Sequence, residues 1–263
     1  MSAIVNFKVQ ENNDVVETVG DKQQGDFRKE FVCPEESMRY AGSLEQLVFS
    51  RFRSSEKSPT LVEFGSGTGN PVVSAILNSN FFGTVHGYEV NPEAAEMADH
   101  LIERMGLSKQ YIIHNMSFFE TQRLPHVDYL IANPPYLPCC DGSRLTLPGL
   151  WGGVDGDSVS KKLLSSGYDN VFLEVSSYSN PIELVKHALS LGYRLIDFQI
   201  SQMPFGVYSH QDIVQERIHE MKRTGKAFFS DKCYLVGSAF FAKGTDEGQD
   251  LSSEFLACLT SLK

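Results

Sequence analysis

Nothing in the cysteine pattern of this 263-residue chain suits a disulfide framework or a structural zinc site. The five cysteines (Cys33, Cys139, Cys140, Cys233 and Cys258) are odd in number, and no two are spaced C-x-x-C. Cys139 and Cys140 are neighbours, and a bridge between neighbours is strained. Free thiols in a reducing compartment are the expectation. The amino terminus, MSAIVNFKVQENND, has neither the basic nor the apolar stretch of a secretion signal. No apolar run approaches the ~18–20 residues of a membrane-spanning helix, so the expected location is the cytoplasm, with no membrane partner. H-E-x-x-H is absent and the seven histidines show no paired spacing, so no metal is expected. G-x-S-x-G is absent as well, which removes a serine hydrolase of the nucleophile-elbow type. Basic residues are in deficit, with a net charge of -10. Phosphate neutralisation dominates affinity for nucleic acid, so this balance disfavours such a partner.

What is present is an ordinary globular composition with a clear rhythm. Residues 3–19 alternate apolar and polar side chains on either side of ENND and predict a β-hairpin. Residues 35–53 carry Met38, Leu44, Leu47, Val48 and Phe52 at helical spacing. These segments make residues 1–55 an N-terminal appendage of hairpin and helix. From residue 60 strands alternate with helices. TLVEF, TVHGYEV, QYIIHN, VDYLIAN, NVFLEVS, YRLIDFQIS and CYLVGSAFFA read as strands. NPVVSAILNS, NPEAAEMADHLIERMG, PIELVKHALSLG and HQDIVQERIHEMKRTG read as helices, and residues 249–261 as a last one. This order predicts an α/β fold: a seven-stranded, mostly parallel, Rossmann-like sheet with helices on both faces. One domain, residues 56–263, accounts for it. Stretches at about 137–169 and 201–231 read as insertions, and loops of such length tend to carry function.

Two of the predicted strands end in segments with chemical content. After TLVEF comes GSGTG, with Gly65, Gly67 and Gly69. Glycine lets a ligand approach the backbone. The pattern is G-x-G-x-G rather than the G-x-G-x-x-G of dinucleotide sites. It suits a ligand without a pyrophosphate, which needs a close backbone shelf more than a helix dipole. Glu89 closes the second strand, where a carboxylate accepts ribose hydroxyls in nucleotide-binding α/β folds.

The fourth strand ends in NPPY, residues 133–136. Asn133 offers a carbonyl acceptor. Pro134 has a fixed φ and no N–H, which stiffens the backbone and directs its own carbonyl. Tyr136 offers a flat face. Two acceptors and a ring suit a planar amino group, either a carboxamide or the exocyclic amine of a base. The lone pair of such a nitrogen is delocalised. Holding both hydrogens in acceptor bonds moves it toward a tetrahedral shape and aims the lone pair. The electrophile must then come from the neighbouring ligand, and a sulfonium methyl donor fits. Trp151, beside Gly152 and Gly153 in the first insertion, reads equally as a packing residue or as part of a lid.

EFGSGTG, YEVNP and NPPY, in this order, resemble the class I S-adenosylmethionine-dependent methyltransferases that modify amino nitrogens. LWGGVDGDSV (150–159) and the run from VFLEVSSYSNP to GYRLIDF (171–198) are similar to the HemK-like glutamine N5-methyltransferases that act on peptide release factors. The similarity covers roughly residues 58–200. It implies S-adenosyl-L-methionine as cofactor. The acceptor it implies is a protein glutamine, possibly of a release factor. A small molecule or a base amine in nucleic acid is the alternative, and an inactive cofactor-binding homologue a further one. Glu63, Gly65, Ser66, Gly67 and Gly69 would cradle the methionine part, with Glu89 on the ribose and Val90 beside the adenine. Ser117 stands where the family carries an adenine-binding Asp, with Phe118 next to it. Asn133, Pro134 and Tyr136 would form the catalytic set, Asn133 also touching the cofactor. The helical docking domain of bacterial family members does not fit within residues 1–55.

Overall fold

The computed structural model describes residues 33–53, 58–127, 129–244 and 249–262. The hairpin expected at residues 3–19 lies outside them. Strands β1 (Thr60–Phe64), β2 (Thr84–Tyr88), β3 (Tyr111–His114), β4 (Tyr129–Ala132), β5 (Asn170–Ser176), β6 (Arg194–Pro204) and β7 (Cys233–Ala242) form one sheet in the order 3-2-1-4-5-7-6. β1 to β5 are parallel, and β7 runs antiparallel between β5 and β6. The expected seven-stranded, mostly parallel sheet is therefore present.

Alternation along the strands sends neighbours to opposite faces. Leu61, Val85, Ile131 and Phe172 pack on one side with helices α1 (Pro34–Ser43), α2 (Asn70–Asn78) and α3 (Pro92–Arg104). Val62, Leu130, Leu173 and Phe241 pack on the other with α4 (Ser158–Leu164), α5 (Pro181–Ser190) and α7 (Ser252–Leu259). A third cluster caps the carboxyl ends of the strands. It joins α6 (Asp212–Arg223) to Leu137, Leu145, Tyr178 and Tyr234.

Three expectations change. The described part of the supposed appendage, residues 33–53, belongs to the core. After α1 the chain continues through a π-helical turn at Leu44–Val48 and a 3-10 turn at Phe49–Phe52. Tyr40, Leu44, Leu47, Val48 and Phe49 are buried against the sheet. One apolar stripe over four turns is too large to leave in water, at roughly 1.5–3 kcal/mol per large side chain. The stretch at 137–169 is only partly an insertion, because α4 is the regular crossover helix between β4 and β5. The second stretch likewise contains the end of β6 and all of α6.

Candidate functional site

The carboxyl ends of β1, β2 and β4 meet at a cavity of about 490 Å³, the range of small-molecule sites. β1 pairs with both β2 and β4, so GSGTG, Glu89 and NPPY are brought side by side. Glu63, Gly65, Ser66, Gly67, Glu89, Val90, Asn133, Pro134 and Tyr136 all line this cavity. Gly69, Ser117 and Phe118 do not. Gly69 caps the start of α2, and a Cβ there would sit 3.2 Å from Cβ of Ala98, so it serves the packing of the loop on α3. Ser117 precedes a 3-10 turn at Phe118–Glu120, and the Phe118 ring packs edge-on to Phe64 and Tyr88 within the core.

The glycine loop has the form its composition asks for. Gly65 and Gly67 have φ of 68° and 53°, and a Cβ on either would meet open space. The shelf is bare on the ligand side and held from behind. Gly65 and Ser66 donate backbone N–H to the Tyr88 carbonyl. Glu89 accepts the N–H of Gly67 through Oε2 and that of Asn91 through Oε1, both at 2.8 Å. Its carboxylate thus ties the loop after β1 to the start of α3, with lone pairs left over for a ligand. Val90 projects into solvent at the rim, 68% exposed.

Glu63 sits beneath the shelf. It accepts a short hydrogen bond from the Tyr111 hydroxyl. Burial dominates its titration and pushes the carboxyl up to about 8, against the hydrogen bond from Tyr111. Close to pH 7 it is largely neutral.

At the other end of the cavity stands a group that sequence reasoning missed. Glu36, in the first turn of α1, is 4% exposed and lines the cavity. Its Oε1 accepts Nδ2–H of Asn133 at 3.0 Å and the hydroxyl of Tyr136 at 2.8 Å. Tyr136 also lies 3.3 Å, oxygen to oxygen, from Tyr234 of β7. Asn133 Oδ1 is buried and has no hydrogen-bond partner. One turn on, Arg39 pairs with Glu174 of β5 at 2.5 Å and with Ser238 at 3.1 Å. Burial raises the Glu36 carboxyl above the ordinary range; the bonds from Asn133 and Tyr136 and the charge of Arg39 oppose this only in part. The CPEES segment did carry a signal, with a proline at the helix start and acids in the first turn. Its meeting with residues a hundred positions away did not show.

Tyr136 is edge-on to Tyr178, and Leu137, Leu147, Leu150, Met203 and Tyr208 complete an apolar wall. The backbone of NPPY is stitched to the following loop. Leu137 donates to Leu150 O, Gly152 donates to Leu137 O, and Ser179 Oγ donates to Tyr136 O. A Cβ on Gly152 would lie 2.6 Å from Tyr136 Cα, and one on Gly156 would lie 2.6 Å from Tyr136 O. These glycines permit close approach and give no hinge for a lid. Trp151 supports the packing reading, since its Nε1–H bonds the Cys139 carbonyl at 3.0 Å and its ring lies against Gly142.

Among the described residues no group of three or more His, Cys, Asp or Glu is arranged to hold a metal. No described helix is long and apolar enough to cross a membrane.

No protein-family model matches the chain, and no curated protein matches its sequence. Solved structures do. A protein of Pyrococcus horikoshii assigned as an RNA methyltransferase shares 19% identity at a TM-score of 0.51. The match covers 77% of this chain and 82% of that one. M. jannaschii TYW2 in complex with AdoMet shares 16% at 0.45, over 80% and 75%. Precorrin-6y C5,15-methyltransferase of Geobacter metallireducens shares 10% at 0.47, over 82% and 92%. The fold of this chain is the class I methyltransferase, Rossmann-like fold.

Proposed function

We propose that this chain transfers a methyl group from S-adenosylmethionine to a planar amino or amide nitrogen, with a protein glutamine side chain as the first-choice acceptor. One observation carries the reading. The buried, partnerless Oδ1 of Asn133 stands in the wall of the same cavity as the bare glycine shelf and Glu89. A buried acceptor without a partner costs about 1–3 kcal/mol, so it asks for a donor from a ligand.

The residues present fit the cofactor. Gly65, Ser66 and Gly67 offer the shelf for its amino-acid part. Glu89 has acceptor capacity for ribose hydroxyls, and Val90 an apolar edge for the base. When bound, the cofactor supplies an electrophilic methyl on a sulfonium. Asn133 Oδ1 and the Pro134 carbonyl accept the two N–H groups of the acceptor and aim its lone pair. As the S–CH₃ bond broke, the sulfonium would leave as a neutral thioether, and the acceptor nitrogen, carrying the methyl and the positive charge, would then lose one proton. Leu137, Leu147, Leu150 and Met203 give the acceptor side an apolar stretch of wall that limits competing water.

Among the described residues lining this cavity there is no Lys or Arg to pair with a phosphate. This favours a neutral amide reaching in from a protein surface. A second reading, the exocyclic amine of a base, is favoured by the ring surfaces of Tyr136, Tyr178, Tyr208 and Tyr234. It requires the phosphates to stay outside.

Labelled S-adenosylmethionine offered with a peptide release factor, RNA, DNA and a metabolite extract separates these. Label in the release factor supports the glutamine reading. Label only in RNA or DNA sinks it in favour of the base amine. No label anywhere, with cofactor bound, favours an inactive cofactor-binding homologue.

A further inference from the structure

We propose that Glu36 is a positioning residue for methyl transfer, setting which atom of the Asn133 carboxamide faces the acceptor. The inference rests on the methyltransferase reading. It assigns a role to a residue outside both motifs.

A carboxamide has two ends of similar shape and opposite hydrogen-bonding character. If Asn133 turned its NH₂ toward the acceptor, two donors would meet and the clamp would fail. The backbone of NPPY does not decide this, because rotation of the amide by half a turn leaves the main chain unchanged. A partner must decide it, and Glu36 is that partner. Asn133 Nδ2 donates to Glu36 Oε1 at 3.0 Å, the orientation that an ionised carboxylate, which only accepts, requires. Oδ1 then points away, and it is this oxygen that is buried without a partner. The same Oε1 takes the Tyr136 hydroxyl, so one carboxylate oxygen fixes both side chains of the clamp.

Protonation removes the constraint. A neutral Glu36 carries a donor of its own and can offer it to Asn133 Oδ1, so either orientation is satisfied. The groups around Glu36 come from several elements. Arg39 lies on its own helix, and Glu174 on β5 opposes it. Tyr136 follows β4, Tyr178 follows β5, Tyr234 lies on β7, and Cys33 precedes α1. Arg39 is the one cation of this set, and it is already engaged by Glu174. Against burial, ionisation of Glu36 is favoured first by the hydrogen bond from Asn133, then by the charge of Arg39 and the bond from Tyr136.

The test compares wild type, Glu36→Ala and Glu36→Gln, in single-turnover transfer across pH and in titrations with S-adenosylhomocysteine. Glu36→Ala is expected to slow transfer about 10- to 100-fold, the range of a misplaced catalytic group. Affinity for S-adenosylhomocysteine is expected to hold within about threefold of wild type. Glu36→Gln carries a donor as well as a carbonyl, as the protonated carboxyl does, so its rate is expected to match the wild type's acid-side rate at every pH. The wild-type rate is expected to fall on the acid side as Glu36 takes up its proton. That limb is expected to vanish in Glu36→Gln.

A second readout needs no activity. The side-chain amide signals of Asn133 in ¹⁵N spectra are expected to shift with pH in the wild type and to stay fixed in Glu36→Gln. Transfer by Glu36→Ala at the wild-type rate, or an acid limb that persists in Glu36→Gln, would overturn the inference. If the wild type transfers no methyl group, the functional reading fails by itself. The Asn133 signals then still decide whether Glu36 sets the amide.

Discussion

The two halves of the cavity are built in different ways. The cofactor half comes from one continuous stretch. Strand, glycine loop, helix, strand and acid all fall between Thr60 and Asn91, and Glu89 ties the pieces together through two backbone N–H groups. The acceptor half is assembled from afar. Glu36 comes from α1, Asn133 and Tyr136 from the end of β4, and Tyr178 from the end of β5. Met203 and Tyr234 come from an antiparallel pair that extends past the sheet. The first half presents backbone and carboxylates in a rigid frame. The second presents side chains whose orientation depends on one another. On the proposed function, the first half holds the cofactor and the second selects the substrate.

Substitutions that hit one half and spare the other sharpen this contrast. The largest effect is expected from Asn133→Ala, which removes the acceptor Oδ1. Transfer should fall by about 10²- to 10³-fold, while calorimetric affinity for S-adenosylhomocysteine stays near the wild-type value. Equal losses of both would erase the contrast. Glu89→Ala is expected to do the reverse. Loss of a charged hydrogen-bonding group costs about 1.5–3 kcal/mol, so cofactor affinity should weaken about 10- to 150-fold by the same titration. Normal affinity would remove Glu89 from the site.

Gly156→Ala is expected to strike the frame of the acceptor half. Its Cβ would meet Tyr136 O at 2.6 Å from a backbone held at φ 81°. Overpacking of this kind costs about 1–3 kcal/mol, readable as a lower urea midpoint, with transfer reduced more than cofactor binding.

The last expected effect spares both halves at neutral pH and below, and concerns Glu63, beneath the glycine shelf. Its carboxyl rises from 4.5 to about 8 on folding. A raised folded value means that the folded state holds the proton more tightly. This contribution to stability is full below about 4.5 and is lost as pH rises through about 8. Its slope is at most about 1.4 kcal/mol per pH unit for one proton. Glu63→Gln keeps an acceptor for Tyr111 and has no proton to lose. Urea denaturation from pH 5 to 9 should show a flatter stability profile in the variant. An unchanged slope would place the titration elsewhere.

This difference also explains what could be read from the sequence. β1 to β5 announced themselves as apolar runs between turn signals, and G-x-G-x-G and N-P-P-Y each lie within a few residues of a strand end. Adjacency of β1 and β4 then placed Asn133 beside the shelf. Glu36 stayed hidden because its meaning lies in a contact across 97 positions. Read alone, an acid in the first turn of a helix is a favourable partner for the helix dipole. The core role of residues 34–52 was hidden for a related reason, since an amphipathic stripe does not say which surface it covers. The glycines of GGVDG suggested flexibility. Gly152 and Gly156 in fact lie against the Tyr136 backbone and Gly153 against Ser158, contacts that no local pattern reveals.

The most direct test of the central claim is a crystal structure with S-adenosylhomocysteine. The account predicts ribose hydroxyls on Glu89, the amino-acid part over Gly65–Gly67, and the sulfur opening toward Asn133 with Oδ1 free. A ligand bound elsewhere, or an Asn133 that turns Nδ2 toward the sulfur, would contradict it.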